Sequence, residues 1–194
     1  MKKRMICRKN GSKFFFKEES GLGYPFSTLV LNAHNKNLFY MSKYQSLISP
    51  LLSDVNNQYP NFPVWYSKVA YELLFGFRTF ILILCENNVA AFSILKHSKE
   101  ENKICTLLTS KKFRNIGLGA WLMRMSLSQF DGQNISLTMP EKKVEEFSQI
   151  INKNNFFLEK KILNFYNRDE IEFFYTRCGS QLFFTEQDNY NVYE

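Results

Sequence analysis

Apolar positions change their spacing along this chain, and each change marks a predicted element. Residues 38–53 and 64–77 place apolar side chains at helical spacing, which predicts two amphipathic helices. Pro50 either ends the first of these helices or starts another one. Before them, the apolar run at 27–34 predicts a strand. The folded part of the chain is therefore predicted to begin with one strand and two helices.

From residue 79 onward the spacing is mostly that of strands. Strands are predicted at 79–85, 89–96, 102–109, 134–139, 156–162 and 170–176. Two helices interrupt the series, one over about 117–130 and one that begins with Pro140 in its first turn. Asn154 or Asn155 can end the latter helix through a left-handed residue. This order predicts an α+β or α/β domain, in which helices cover a mixed sheet.

The net charge of +7 belongs to the start of the chain. Residues 1–17 hold seven basic residues and no acidic one, and the remaining 18 basic and 18 acidic residues cancel. We therefore divide the chain into a basic N-terminal arm (1–26), a folded domain (27–177) and a C-terminal extension (178–194). The arm is either a loose solubilising tail or a contact for RNA, DNA, an anionic membrane or another acidic partner.

Composition narrows the class of protein further. The chain has 194 residues, 45% of them apolar, with 20 Phe and 10 Tyr, which indicates one folded domain with a substantial core. No apolar run approaches the roughly 18–20 residues that span a bilayer, and no secretory signal follows the basic start. The four cysteines show neither paired nor metal-ligand spacing. We expect a cytoplasmic protein in a reducing compartment, with no metal site.

The segment TSKKFRNIGLGAWLM (109–123) is the strongest candidate for chemistry. It joins a cationic loop with two glycines to the start of a helix, where free N–H groups and the helix dipole hold anions. A Walker loop is excluded because Ala120 and Trp121 follow Gly119, and a dinucleotide fingerprint is excluded because Leu122 occupies its third glycine position. A phosphate-bearing ligand is the remaining prediction.

The same residues carry a resemblance to a known family. Arg114-x-x-Gly117-x-Gly119-Ala120, at the end of a strand and the start of a helix, resembles the acetyl-CoA signature of the GNAT superfamily of N-acetyltransferases. Residues 107–119 look like that family's fourth strand and pyrophosphate loop, and residues 87–95 and 151–157 look like the preceding strand and the end of the fourth helix. The resemblance implies a mixed, mostly antiparallel sheet of about six to seven strands, flanked by about four helices.

The resemblance also implies acetyl-CoA as the cofactor and assigns residues to it. The fourth and fifth strands of the family part, and the backbone of Leu107, Leu108 and Thr109 would bind the pantetheine arm between them. An N–H near Leu108 would polarise the thioester carbonyl. The residues that would surround the pyrophosphate are Arg114, Asn115, Ile116, Gly117, Leu118, Gly119 and Ala120.

The group that protonates the departing thiolate is harder to assign. Family members often use a tyrosine near the end of the fourth helix, and the matching position here is Ile151, which cannot donate a proton. Tyr166, in the loop between the last two strands, is the catalytic candidate, with a packed aromatic as the plainer interpretation. Weaker candidates, each with a purely structural alternative, are Glu72, His97, Cys105, Ser136 and Thr138.

Three functions stay open at the level of the sequence. The first is N-acetyltransfer to an amine. That amine belongs to a small molecule, a protein or an aminoacyl-tRNA. The protein that catalyses the transfer is a monomer or a homodimer. The alternative is a catalytically inactive CoA-binding sensor or interaction module, which the isoleucine at 151 favours. A nucleic-acid-binding protein ranks last, because its aromatic residues and its basic residues occupy different parts of the chain.

Overall fold

A computed structural model of the chain shows one sheet with helices on both faces. It describes residues 6–10, 13–17, 23–33, 41–56, 59, 61–86 and 88–179. The strands within these residues are β1 (Ile6–Asn10), β2 (Lys13–Lys17), β3 (Gly23–Leu31), β4 (Arg78–Cys85), β5 (Asn88–Lys96), β6 (Lys103–Thr109), β7 (Ile135–Pro140), β8 (Phe157–Leu163) and β9 (Ile171–Arg177). The α-helices are α1 (Met41–Asn56), α2 (Phe62–Leu74), α3 (Leu118–Leu127) and α4 (Glu141–Lys153).

The strands follow the spatial order β1-β2-β3-β4-β5-β6-β7-β9-β8. All neighbours are antiparallel except β6 and β7, which are parallel. The seven strands from β3 to β9 and the four helices confirm the predicted mixed, mostly antiparallel architecture. The sheet also extends into the predicted N-terminal arm, where β1 and β2 form a hairpin beside β3. The three consecutive phenylalanines in KFFFK of β2 are of a residue type that is enriched in strands.

Two apolar cores lie on opposite faces of the sheet. Alternation along β4 divides its buried side chains between them, with Ile81 and Ile83 in one core and Phe80 and Leu82 in the other. The first core packs against α3 and α4, and the second packs against α1 and α2. Because the central strands are buried on both sides, their sequences are nearly continuous apolar runs.

Element ends differ from the sequence predictions at a few positions. Pro50 lies inside α1 and does not end it. Ile48 and Leu52 on either side of the proline are buried against the sheet, and this packing offsets the helical hydrogen bond that proline cannot make. Pro140 is the residue before α4, which begins at Glu141, so the first turn starts one residue later than expected.

Asn155 follows the end of α4 and has the left-handed conformation, with φ of 56°, as the sequence predicted. We expect Asn155→Ala to lower the free energy of unfolding by about 1 kcal/mol, since alanine keeps the β-carbon but lacks the short polar side chain that lets asparagine adopt this conformation. Asn155→Gly should cause no loss, because glycine adopts positive φ freely. Urea unfolding of both variants checks this, and equal stability of the two would contradict it.

Candidate functional site

A cleft opens where β6 and β7 part. Within the described strands their ladder has two pairs, Lys103 with Ser136 and Ile104 with Leu137. Beyond these pairs the two strands no longer pair, and a cavity of about 730 Å³ lies between them. The backbone edge of β6 beyond Ile104 therefore faces the cleft and not a neighbouring strand. An extended ligand can bind such an edge as an added strand would.

The glycine-bearing loop lies at one end of this cleft and is fixed from below. Phe113 is buried, and its ring contacts Phe26 edge-on with centroids 5.9 Å apart. Asn115 and Gly117 both take left-handed conformations, with φ of 61° and 88°. These residues turn the chain sharply so that α3 starts directly at the cleft. A side chain at position 117 would be strained because of the backbone, although open space surrounds it.

The first turn of α3 offers an anion-binding surface. No acidic side chain lies in that turn, and no side chain caps it. Gly119 faces the cleft, and a β-carbon there would come within 3.4 Å of Ile150 Cδ1. Arg114 adds positive charge beside the turn, with its Nε donating to the Thr109 carbonyl at 3.4 Å. The helix dipole and this guanidinium together favour a phosphate or pyrophosphate.

The structure brings nearly all of the sequence-predicted ligand residues to this cleft. Those that line it are Leu107, Leu108, Thr109, Arg114, Asn115, Gly117, Leu118, Gly119 and Ala120. Ile116 is the exception, because its side chain packs against the apolar core under α3. Its assignment to the pyrophosphate therefore rests on its place in the loop alone.

Tyr166 lies near the opposite end of the cleft without lining it. Its side chain is 41% exposed, and its ring contacts Tyr59 edge-on at 5.3 Å. Tyr59, which lines the cleft, is thus the closer phenol. Ile151, the position matched to the family's tyrosine, is buried in the core, whereas its neighbour Ile150 lines the cleft. Ile151 therefore belongs to the core and not to the cleft wall.

Two of the weaker candidates hold the structure together. Glu72 accepts hydrogen bonds from the buried Arg78, at 2.7 Å from both Nε and Nη2. His97 lies over the ring of Phe130 and contacts the Thr79 hydroxyl at 3.1 Å. Burial, aided by the nearby positive charge of Arg78, lowers the pKa of His97, so this imidazole stays neutral at physiological pH. Neither Glu72 nor His97 lines the cleft.

The remaining candidates lie on β6 and β7. Cys105 lines the cleft wall, and Arg78 Nη1 donates to its Sγ at 3.2 Å. Burial raises the pKa of this thiol, which makes it a poor nucleophile. Ser136 donates to the Glu101 carboxylate at 2.8 Å, in a group that also contains Lys96. Thr138, in contrast, lines the cleft.

Sequence reasoning missed Glu172, which the structure buries on β9, next to the part of the cleft wall that Thr138 forms. Its side chain is 4% exposed, and its Oε1 has no hydrogen-bond partner. Burial is the main cause that raises the pKa of Glu172 to about 7, and a hydrogen bond with Thr138 opposes that effect. The pattern EIEFFYT contained a weak signal, since a carboxylate interrupts an apolar strand, but alternation predicts that such a residue is exposed.

Tyr59 was also missed, because it lies in a connecting segment that the sequence assigned to no element. The pKa of its phenol is raised by burial first, then by Glu172, Tyr166 and Glu170. A raised pKa keeps Tyr59 protonated and able to donate a hydrogen bond throughout the physiological range.

Among the residues that the structure describes, no group of three or more His, Cys, Asp or Glu side chains is arranged to hold a metal ion. None of the helices described is both long enough and apolar enough to cross a membrane.

Comparisons with known proteins identify the fold. No family model matches the chain, and no curated protein sequence matches it. An acetyltransferase of the GNAT family from Bacillus cereus ATCC 10987 has 15% identity, covers 78% of this chain and 96% of its own, and superposes with a TM-score of 0.56.

Two further structures carry bound molecules. A GNAT family acetyltransferase from Elizabethkingia anophelis with acetyl-CoA bound has 11% identity, 79% and 97% coverage and a TM-score of 0.57. The NatC complex bound to Gag peptide and CoA has 12% identity, 79% and 98% coverage and a TM-score of 0.57. At these identities the likeness concerns the fold, and this chain has the fold of the GNAT acetyltransferases.

Proposed function

We propose that this chain, folded as the GNAT acetyltransferases are, binds acetyl-CoA and transfers its acetyl group to an amine. The observation that carries the proposal is the parting of β6 from β7 after two residue pairs, which leads directly to the uncapped start of α3. One end of this cleft suits a pyrophosphate, and its length offers a strand edge. The fold alone would not assign a function, whereas this combination of groups fits one ligand well.

The residues present fit acetyl-CoA in two places. Gly117, Gly119 and the N–H groups of the first α3 turn would hold the pyrophosphate, with Arg114 beside it. The backbone of residues 107–109 would hydrogen-bond the pantetheine arm as a neighbouring strand does. The Elizabethkingia anophelis neighbour, whose structure contains acetyl-CoA, supports this assignment. When bound, acetyl-CoA supplies the activated acetyl thioester.

The chain's own groups would then position the reactants and handle charge. An N–H near Leu108 would polarise the thioester carbonyl as negative charge develops on its oxygen. Holding the amine next to the carbonyl supplies much of the rate enhancement. Tyr166, whose ring contacts Tyr59 of the cleft wall, is the candidate that would donate a proton to the departing sulfur. The raised pKa of Tyr59 limits that phenol to donating a hydrogen bond.

The acceptor is the open part of the proposal. The NatC neighbour carries a peptide beside CoA, which makes peptide amines the first acceptors to test. An aminoacyl-tRNA acceptor would involve the basic arm, whose side chains lie outside those described. Acetylation of such an acceptor should fall steeply with salt, because phosphate contacts release counterions.

Calorimetric titration with acetyl-CoA tests the cofactor site. We expect wild-type protein to bind in the micromolar range and an Arg114→Glu, Gly117→Asp variant to lose at least about 100-fold in affinity. The variant places two carboxylates where the pyrophosphate would bind and reverses the favourable field of the helix terminus.

The control is Arg124→Glu, which reverses the charge of an arginine in the same way at the other end of the same helix. Its acetyl-CoA affinity should stay within about threefold of wild type, because surface charges more than a Debye length away are largely screened. Absence of binding by folded wild-type protein would overturn the proposed function. Equal binding by wild type and loop variant would place the ligand elsewhere.

A further inference from the structure

We propose that Glu172 takes up the proton that the acceptor amine must lose, and that the Thr138 hydroxyl passes it on. The inference rests on the proposed function, since it concerns the acceptor end of the same cleft. It assigns a base that the sequence did not reveal, and it makes the Thr138 hydroxyl the group that contacts the amine and passes its proton to a buried carboxylate.

The register of the sheet brings these two groups together. Thr138 lies opposite Phe174, and Pro140 lies opposite Glu172, so Thr138 and Glu172 point to the same face of the sheet. Thr138 lines the cleft, and the register makes it the diagonal neighbour of Glu172, which is 4% exposed and whose pKa the Thr138 hydroxyl lowers. The hydroxyl is therefore the polar link between the cleft and the buried carboxyl.

The second carboxylate oxygen is the unusual feature. Glu172 Oε1 is buried and has no hydrogen-bond partner, whereas nearly all buried polar atoms in folded proteins have one. The cost of such an orphan oxygen is small when the carboxyl is protonated and large when it is ionised. A group in this position changes protonation readily as a ligand binds or reacts beside it. Function explains this arrangement better than stability does.

The charged and titratable groups around Glu172 come from several elements. Those that act on it or on the adjoining phenol are Tyr59, Lys103, Lys142, Tyr166 and Glu170. Lys103 and Lys142 favour the ionised form of Glu172, and Glu170 disfavours it. Burial is the largest effect and places the pKa of Glu172 at about 7, within the range suited to a base at neutral pH.

The nitrogen of the acceptor loses two protons during the transfer. An alkylamine acceptor enters as an ammonium ion, and its nitrogen needs a free electron pair before it can attack. The ammonium proton moves to Thr138 Oγ1 while the Thr138 hydroxyl proton moves to the Glu172 carboxylate. The N–C bond then forms, the C–S bond breaks, and the sulfur leaves with the electron pair. The nitrogen's second proton goes to that sulfur, and Glu172 later releases its proton to solvent.

Two small nucleophiles separate this role from a structural one. Ethylamine is an ammonium ion at neutral pH, whereas hydroxylamine is already neutral and needs no base before attack. Glu172→Gln should slow acetylation of ethylamine by at least about 100-fold at pH 7, which is the usual contribution of a general base. Acetylation of hydroxylamine should change less than about threefold. A general disturbance of the fold would slow both.

The pH profile supplies the second readout. Because the ionised form of Glu172 is required, the wild-type rate with ethylamine should rise with pH and level off above about 7. In Glu172→Gln this inflection should vanish and leave the rise that follows deprotonation of ethylamine itself. Thr138→Val should behave like Glu172→Gln, and Thr138→Ser should restore most of the rate because it keeps the hydroxyl.

The possible failures are distinguishable. Calorimetry with acetyl-CoA accompanies every variant, and each should bind as wild type does. If wild type binds acetyl-CoA and acetylates both probes while Glu172→Gln keeps its rate with ethylamine, the relay is wrong and the proposed function stands. If wild type binds acetyl-CoA but acetylates neither of these probes nor a peptide amine, both the relay and the transfer are overturned. Failure to bind acetyl-CoA overturns the proposed function at its first step.

Discussion

Phe92→Ala should lower the free energy of unfolding by about 3–5 kcal/mol, the range for truncating a fully buried aromatic side chain. Phe92 is completely buried near the middle of β5, and its ring meets that of Phe80 edge-on at 5.3 Å. The substitution removes apolar contacts and leaves a cavity between the sheet and the helices α1 and α2. Surrounding strands pair on both sides and cannot collapse into it.

Urea unfolding monitored by circular dichroism measures the effect. The control is Phe157→Ala on the edge strand β8, where the side chain is 50% exposed and the loss should stay near 1 kcal/mol or below. Phe92 also lies opposite Leu108, one of the residues along the cleft. Acetyl-CoA affinity should therefore fall as well, but by less than in the loop variant. A loss of stability below about 1 kcal/mol would show that the core is not packed around Phe92.

The sequence was sufficient where a local pattern determines the structure. The change from helical to strand spacing located the main elements of the domain, because apolar faces must be buried whatever the partner. The loop was equally local: glycines at 117 and 119 precede an apolar helical stripe, and Gly117 adopts positive φ. Both features can be derived from residue type and position alone.

Long-range effects were not accessible in the same way. The burial of Glu172 depends on strand pairing with β7 and β8, which no window of the sequence contains. Pro50 remained helical because Ile48 and Leu52 pack against the sheet, and tertiary packing of this kind overrides local preference. Ile151 was matched to the family's tyrosine by its position along a helix. Successive residues of a helix face different sides, so Ile151 lies in the core whereas Ile150 lines the cleft.

Glu72→Ala is the second substitution with a large expected effect, a loss of about 2–4 kcal/mol in the free energy of unfolding. The Arg78 side chain is only 6% exposed, and the Glu72 carboxylate neutralises it through bonds of 2.7 Å. Removal of one partner of a fully buried pair costs about 3–5 kcal/mol, because the other charge stays buried without compensation. Glu72 is 21% exposed, so water will partly replace it and reduce the loss.

A double-mutant cycle separates this penalty from the loss of one contact. Replacing the pair with apolar residues, as Glu72→Leu and Arg78→Met, should leave a protein more stable than Glu72→Ala, since no uncompensated charge remains. Additive losses from the two single substitutions would contradict the pairing. The cycle also bears on the cleft, because Arg78 donates to Cys105 at 3.2 Å and Cys105 forms part of its wall. Glu72 thus holds the guanidinium that contacts this wall, which is the structural alternative for one of the weaker catalytic candidates.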